Sequence, residues 1–235
     1  MLHLNDSLVT VFLRFTPTVT RYYHSYLAPA TRRIGVQIRM VGSDTVPADD
    51  KYNQILACSR QDRILPETVD DSDEAAVTTT VTGGGGGGNN GSSTAILIAS
   101  LYADYYERLR SRYYEHAAKA GDGVGVGMFQ PTHEERQATE KLAHNQKALA
   151  EIYLLSFSEE LLTSGLSTFG YVSSSLAGVR PTILLTAFHH KVPATPCRRA
   201  VSMEPCNLTP PRGVECRAGE AVDGEDLARH LKVCD

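Results

Sequence analysis

The chain has no tryptophan, no long apolar run, no Cys-x-x-Cys pair and no large charge of either sign. Each absence removes a class of protein. No run of eighteen apolar residues exists, so no segment carries the pattern of a membrane-spanning helix, and Met1 to Val19 is too polar for a signal peptide. A formal net charge of −4, with Lys and Arg scattered rather than striped, gives no basic surface for nucleic acid. The missing Cys-x-x-Cys spacing argues against a zinc site. Glycine is abundant but in the wrong patterns. Gly83 to Gly88 lacks the Gly-Lys-Ser/Thr ending of a phosphate loop, and Gly121, Gly123, Gly125 and Gly127 miss the spacing of a dinucleotide fingerprint. Asp71-Ser72-Asp73 lies in a polar, low-complexity stretch rather than at a strand end, where metal-dependent glycosyltransferases keep such a pair.

What is present alternates between two periods. A helical spacing over 11–27, broken or restarted at Pro17, leads into the β-branched run Ile34-Gly35-Val36-Gln37-Ile38-Arg39-Met40. A second helix is expected over 50–64. The acidic and glycine-rich residues 67–93 read as a flexible insertion. Strand patterns follow at 94–100, 124–129, 161–163 and 181–185, separated by helical patterns at 101–116, at 145–157 and from Ser167 onward. In the helix over 145–157 the expected buried face is Leu149, Ile152, Tyr153 and Ser156; in the earlier one, Tyr105, Tyr106, Tyr113 and Tyr114 are expected to pack inward. Short right-handed connections between such units produce an α/β fold, a Rossmann-like three-layer parallel sheet. The expected division is a helical lead-in over 1–33, the sheet lobe over 34–190 and a tail over 191–235. Cys197, Cys206, Cys216 and Cys234 crowd that tail and suggest two disulfides, leaving Cys58 as a buried free thiol. Sequons at Asn5, Asn90 and Asn207 fit a secretory lumen.

Ligands bind outside the carboxyl ends of strands in such sheets, so Arg39 can present a bidentate fork to a diphosphate. Ser167-Thr168 opens a helix, where free N–H groups and hydroxyls also suit phosphate. Glu151, one helix and one strand upstream, suits the N1–H and N2–H₂ donors of a guanine. Thr132 and Glu135 have the spacing of a capping box, which leaves His133 and Glu134 as candidate catalytic groups at the sheet edge.

The run Ala150-Glu151-Ile152-Tyr153-Leu154-Leu155 through Ser167-Thr168-Phe169-Gly170-Tyr171, with Gly178-Val179-Arg180-Pro181 and Cys197-Arg198-Arg199 to Cys206, resembles the C-terminal half of the plant xyloglucan-type galactoside 2-α-L-fucosyltransferases. Arg21-Tyr22-Tyr23, Ile34 to Arg39, Asn53 to Cys58, Gln130-Pro131-Thr132-His133-Glu134 and His144-Asn145-Gln146-Lys147 extend the resemblance over most of the chain. It implies the donor-binding lobe of a GT-B-like glycosyltransferase. The implied reaction is inverting, metal-independent transfer of L-fucose from GDP-fucose to the 2-hydroxyl of a galactose in a polysaccharide such as xyloglucan. No cofactor beyond the donor is implied. The donor set is then Gln37, Arg39, Glu151, Ser167, Thr168 and Phe169, and the catalytic set Arg39, His133 and Glu134. The family's setting is the Golgi lumen, with a membrane anchor and an acceptor lobe not found in this chain, and with homo-oligomers or other Golgi glycosyltransferases as partners. The alternative is a truncated, non-catalytic nucleotide-sugar-binding remnant. Family members carry Trp where this chain has Leu166, which is expected to loosen packing behind the phosphates.

Overall fold

Residues Ile34 to Ile38 are all buried because they occupy a central strand covered on both faces. A computed structural model describes residues 17–40, 46–68, 93–115, 125–187, 189–200 and 203. The expected insertion therefore falls largely outside the described residues, as do the three sequons and Cys206, Cys216 and Cys234. A helix, α1, is described from residue 17 and ends in a π-helical turn, Tyr23–Leu27. The order is then β1 (Arg32–Ile38), α2 (Ala48–Asp62), β2 (Ser93–Ser100), α3 (Asp104–Glu115), β3 (Gly125–Phe129), α4 (Leu142–Leu155), β4 (Glu160–Ser164), α5 (Thr168–Ala177), β5 (Thr182–Leu184) and β6 (Cys197–Arg199). The sheet runs β3-β2-β1-β4-β5-β6, parallel through β5. This is the expected three-layer fold. No described helix is long and apolar enough to cross a membrane.

Side chains alternate across the sheet, as the two-residue period of a strand requires. Ile34, Val36, Ile38, Ile96 and Ile98 meet Ile55 and Cys58 of α2 and Tyr105 and Leu109 of α3. On the other face Ala95, Leu97, Ala99 and Leu161 meet Leu27 of α1 and Ala150, Leu154 and Leu155 of α4. Gly35 faces this second layer, where a Cβ would stand 2.5 Å from Leu161 Cδ2 and 2.8 Å from Leu155 Cδ2. Only a residue without a side chain lets α4 sit so close.

β1 begins two residues earlier than the sequence pattern indicates. Arg32 places Nε and Nη2 3.0 and 3.1 Å from the two carboxylate oxygens of Glu160, and Arg33 pairs with Glu159. These forks tie the amino ends of β1 and β4 together. They also account for the acidic pair that interrupts the apolar pattern between α4 and β4.

The structure corrects several expectations. Cys58 is not a free thiol; it is bonded to Cys197, 139 residues away, and staples α2 to β6. Cys197 is thus unavailable to the other tail cysteines. β6 lies past residue 190 and pairs antiparallel with β5, so the start of the expected tail completes the sheet. Gln54 Nε2 reinforces that junction, donating to the carbonyls of Leu185 and Pro196, both at 2.8 Å. The buried face of α4 is Ala150, Glu151, Leu154 and Leu155, with Leu149, Ile152, Tyr153 and Ser156 only half-buried. The helix must satisfy a sheet on one side and a cleft on the other, and the apolar spacing alone does not distinguish them. Of the α3 tyrosines, Tyr114 is exposed, with the Arg110 guanidinium 5.0 Å from its ring centre. The capping box does not form, because no helix starts at Thr132: α4 starts ten residues later, and Glu135 instead accepts the Ala103 N–H at 2.8 Å, at the start of α3.

Candidate functional site

At the carboxyl edge of the sheet the ends of β1 and β2, the loop after β3, the outer face of α4 and the first turn of α5 enclose a cleft of about 410 Å³. Its β1 side is built from a chain of short bonds. Gln37, buried in the strand, accepts the Ser164 N–H through Oε1 at 3.2 Å, and Ser164 Oγ accepts the Arg39 N–H at 2.9 Å. The last residue of β4 thereby fixes the backbone that presents Arg39. Its side chain is exposed at the cleft and has no ion-pair or hydrogen-bond partner among the described residues. Gln37 lines the cleft too, with its carbonyl oxygen already committed to the turn.

From β4 the chain enters α5 through Leu166, whose φ of 54° is the left-handed conformation a branched side chain adopts only under constraint. The constraint is visible: the Leu166 N–H donates to the buried Tyr171 hydroxyl at 2.8 Å. The Leu166 side chain itself is 56% exposed and stands outside the packing beneath α5. That packing is set by Gly170, where a Cβ would lie 2.7 Å from Thr163 Cβ and 3.0 Å from Gln37 Oε1.

Ser167 occupies the N-cap position but makes no side-chain cap bond; its hydroxyl is buried without a partner and the residue is not part of the cleft lining. Thr168, exposed, and Phe169, half-buried, do line it. The α5 start therefore offers the cleft Thr168 and the free N–H groups of its first turn, with Ser167 behind them.

α4 supplies the opposite wall. Its residues His144, Lys147 and Glu151 recur at helical spacing toward the cleft. Glu134, from the loop after β3, bonds Lys147 Nζ through Oε1 and has Oε2 3.4 Å from His144 Nδ1; these partners hold its carboxyl below the usual range. Glu151 is only 7% exposed, and Thr132 Oγ1 donates to its Oε1 at 2.6 Å. Burial pushes the Glu151 carboxyl up to about 7, with the Thr132 bond acting against the shift. His133 is exposed and outside the lining.

The cleft thus gathers Gln37, Arg39, Glu134, Glu151, Thr168 and Phe169, while Ser167 lies beneath it and His133 beside it. Sequence reasoning missed Thr132, which the capping-box spacing had explained away, and His144 and Lys147, whose helical spacing toward Glu134 carried the signal.

The sequence pattern of the xyloglucan fucosyltransferase family matches residues 13–217. The chain belongs to that family. It is 40% identical over 217 residues to a galactoside 2-alpha-L-fucosyltransferase of Pisum sativum, and 40% identical over 217 residues to one of Arabidopsis thaliana. Each alignment covers 92% of this chain but only 36% and 37% of the respective relative. A solved structure of an Arabidopsis thaliana FUT1 mutant in complex with GDP superposes with a TM-score of 0.71 at 35% identity, covering 94% of this chain and 43% of that one. The chain therefore spans about two fifths of the length of these relatives and carries the family's fold in that part.

Proposed function

We propose that the cleft holds the diphosphate of GDP-fucose and that the protein takes part in moving L-fucose to the 2-hydroxyl of a galactose in a wall polysaccharide such as xyloglucan. The observation that carries this reading is the convergence of the unpaired Arg39 side chain and the α5 start on one cleft at the carboxyl edge of a doubly wound sheet. The relatives' transferase names and the GDP in the FUT1 structure support the donor assignment.

In this reading the bond from fucose C1 to the diphosphate breaks as the galactose oxygen bonds the opposite face of C1, inverting it, and the electron pair leaves with GDP. Charge accumulates on the diphosphate. The Arg39 guanidinium and the N–H groups around Thr168 and Phe169 offset that charge, so no metal ion is needed for this step. Glu151, on the α4 wall of the same cleft, is the candidate partner of the nucleobase. Glu134 and His133 remain the candidates for proton handling at the acceptor side. A Golgi lumen suits a chain with a Cys58–Cys197 bond, since such bonds persist in oxidising compartments.

The test is GDP binding by calorimetry together with fucose transfer to a galactoside, in the protein and its Arg39→Ala variant. Loss of both in the variant, with the fold intact by circular dichroism, is expected. Normal turnover by the variant sinks the reading.

A further inference from the structure

Two carboxyl groups share the cleft, and the cations around them are divided unequally. Glu134 takes both neighbours on α4, Lys147 by a direct bond and His144 across 3.4 Å. Glu151, one turn beyond Lys147 on the same helix, is left with the neutral groups of Thr132, whose hydroxyl donates to Oε1 at 2.6 Å and whose backbone N–H also bonds the carboxyl. It is also the more deeply buried of the two.

The elements packed around Glu151 bring little positive charge to bear. The loop after β3 contributes Glu134, which repels an ionised Glu151, and Lys147 attracts it only weakly from its bond to Glu134. β2 and α5 contribute Ser100, Thr168 and Phe169, which carry no charge, and β1 contributes Arg39 at the far wall. A carboxylate stripped of water and left without a cation is the costlier state, so the proton is held to a higher pH than on an exposed glutamate.

We propose that Glu151 meets its ligand as a neutral carboxylic acid, one O–H donor beside one acceptor, and that the cleft accordingly takes a lactam edge. A lactam edge pairs a carbonyl oxygen with a ring N–H. Guanine presents one at O6 and N1–H, and hypoxanthine presents the same one. A carboxylate instead takes the two donors of guanine, N1–H and N2–H₂, and rejects hypoxanthine. The proposal rests on the reading of the cleft as a guanosine diphosphate site and reverses the hydrogen-bond polarity that a carboxylate gives there. Burial holding the carboxyl up near 7 agrees with it.

The experiment has two arms. Carbon-13 titration of the side-chain carboxyls in the ligand-free protein, with the Glu151 signal assigned by its loss in Glu151→Gln, reads ionisation without any nucleotide. A midpoint near 7 is expected, and one in the ordinary glutamate range overturns the proposal. Calorimetry with GDP and with inosine 5′-diphosphate at pH 6 and pH 8 reads the polarity. Near-equal affinities at pH 6 are expected, with inosine 5′-diphosphate weakened about tenfold at pH 8 as the site loses its proton and GDP weakened less, because the ionised carboxyl takes both guanine donors. A GDP preference of tenfold or more already present at pH 6 overturns the proposal. If neither nucleotide binds at either pH, the donor reading fails, and the carboxyl titration alone still decides the state of Glu151.

Discussion

The two walls of the cleft are built on opposite electrostatic plans. The β1 and α5 wall presents a positive side chain and free helix N–H groups with no anion among the described residues. The α4 wall is closed on itself: Glu134 takes Lys147 and His144, and Glu151 takes Thr132. An open set of donors is prepared for charge brought from outside. A satisfied network is prepared for shape and hydrogen-bond direction. On the proposed reading, the charge of a bound ligand belongs on the β1 and α5 wall and its neutral, patterned surface on the α4 wall.

The comparison breaks hardest at Arg39. Arg39→Ala removes the open wall's cation and is expected to raise the transfer barrier by about 2.7–4 kcal/mol, a hundredfold or more in rate, as removal of a preorganised donor does; steady-state transfer assays measure it. A wild-type rate would show that the two walls do not differ in the way described.

Glu151→Gln tests the closed wall through stability rather than turnover. The Glu151 carboxyl sits at about 7 in the folded chain against an ordinary 4.5. Its folded-state proton affinity is raised, so its stabilising contribution is fully present below about pH 4.5 and is lost as pH rises through about 7. A shift of that size is worth about 3 kcal/mol. The glutamine variant carries no proton to lose and keeps an oxygen for Thr132. It is expected to be the more stable protein at pH 8, with the advantage fading toward pH 4.5, as urea melts across that range will read.

Removal of the Cys58–Cys197 bond by Cys58→Ser is expected to cost about 2–4 kcal/mol of unfolding free energy. That loss acts on the sheet rather than on either wall, and GDP affinity at a temperature where the variant stays folded should change little. Gly170→Ala pushes α5 away from Thr163 and Gln37, which costs about 1–3 kcal/mol and moves the open wall alone; thermal melts paired with GDP titration separate the two effects. The smallest effect is expected from Lys147→Ala. It frees Glu134, whose carboxyl titration should move up toward the ordinary value, while Arg39-dependent properties stay as they were.

Much of this was legible along the chain. The strands announce themselves because a buried parallel strand is nearly all apolar, as Ala95 to Ala99 are throughout and Ile34 to Ile38 are apart from Gln37. Arg39 is legible for the same reason, since the residue after such a run lies at the edge where ligands bind. The Thr132–Glu151 bond was not. Thr132 carries a local spacing that suggests a cap, and only the fold, which lays the loop after β3 against α4, decides between two partners for one hydroxyl. Ser167 shows the converse: its type suits a cap, yet the turn through Leu166 leaves its hydroxyl buried behind the surface it was expected to line.

The alternation of strands and helices, the parallel three-layer sheet and the presence of Arg39 at the carboxyl end of its first strand were determined by the sequence itself, because each follows from local periodicity and from chain handedness. The partner of Cys58, the side of α4 that faces the sheet and the division of Lys147 and His144 toward Glu134 rather than Glu151 were decided only by tertiary structure. These are contacts between residues distant along the chain or on adjoining faces of one helix, and their energies depend on burial and distance, which exist only once the layers have packed.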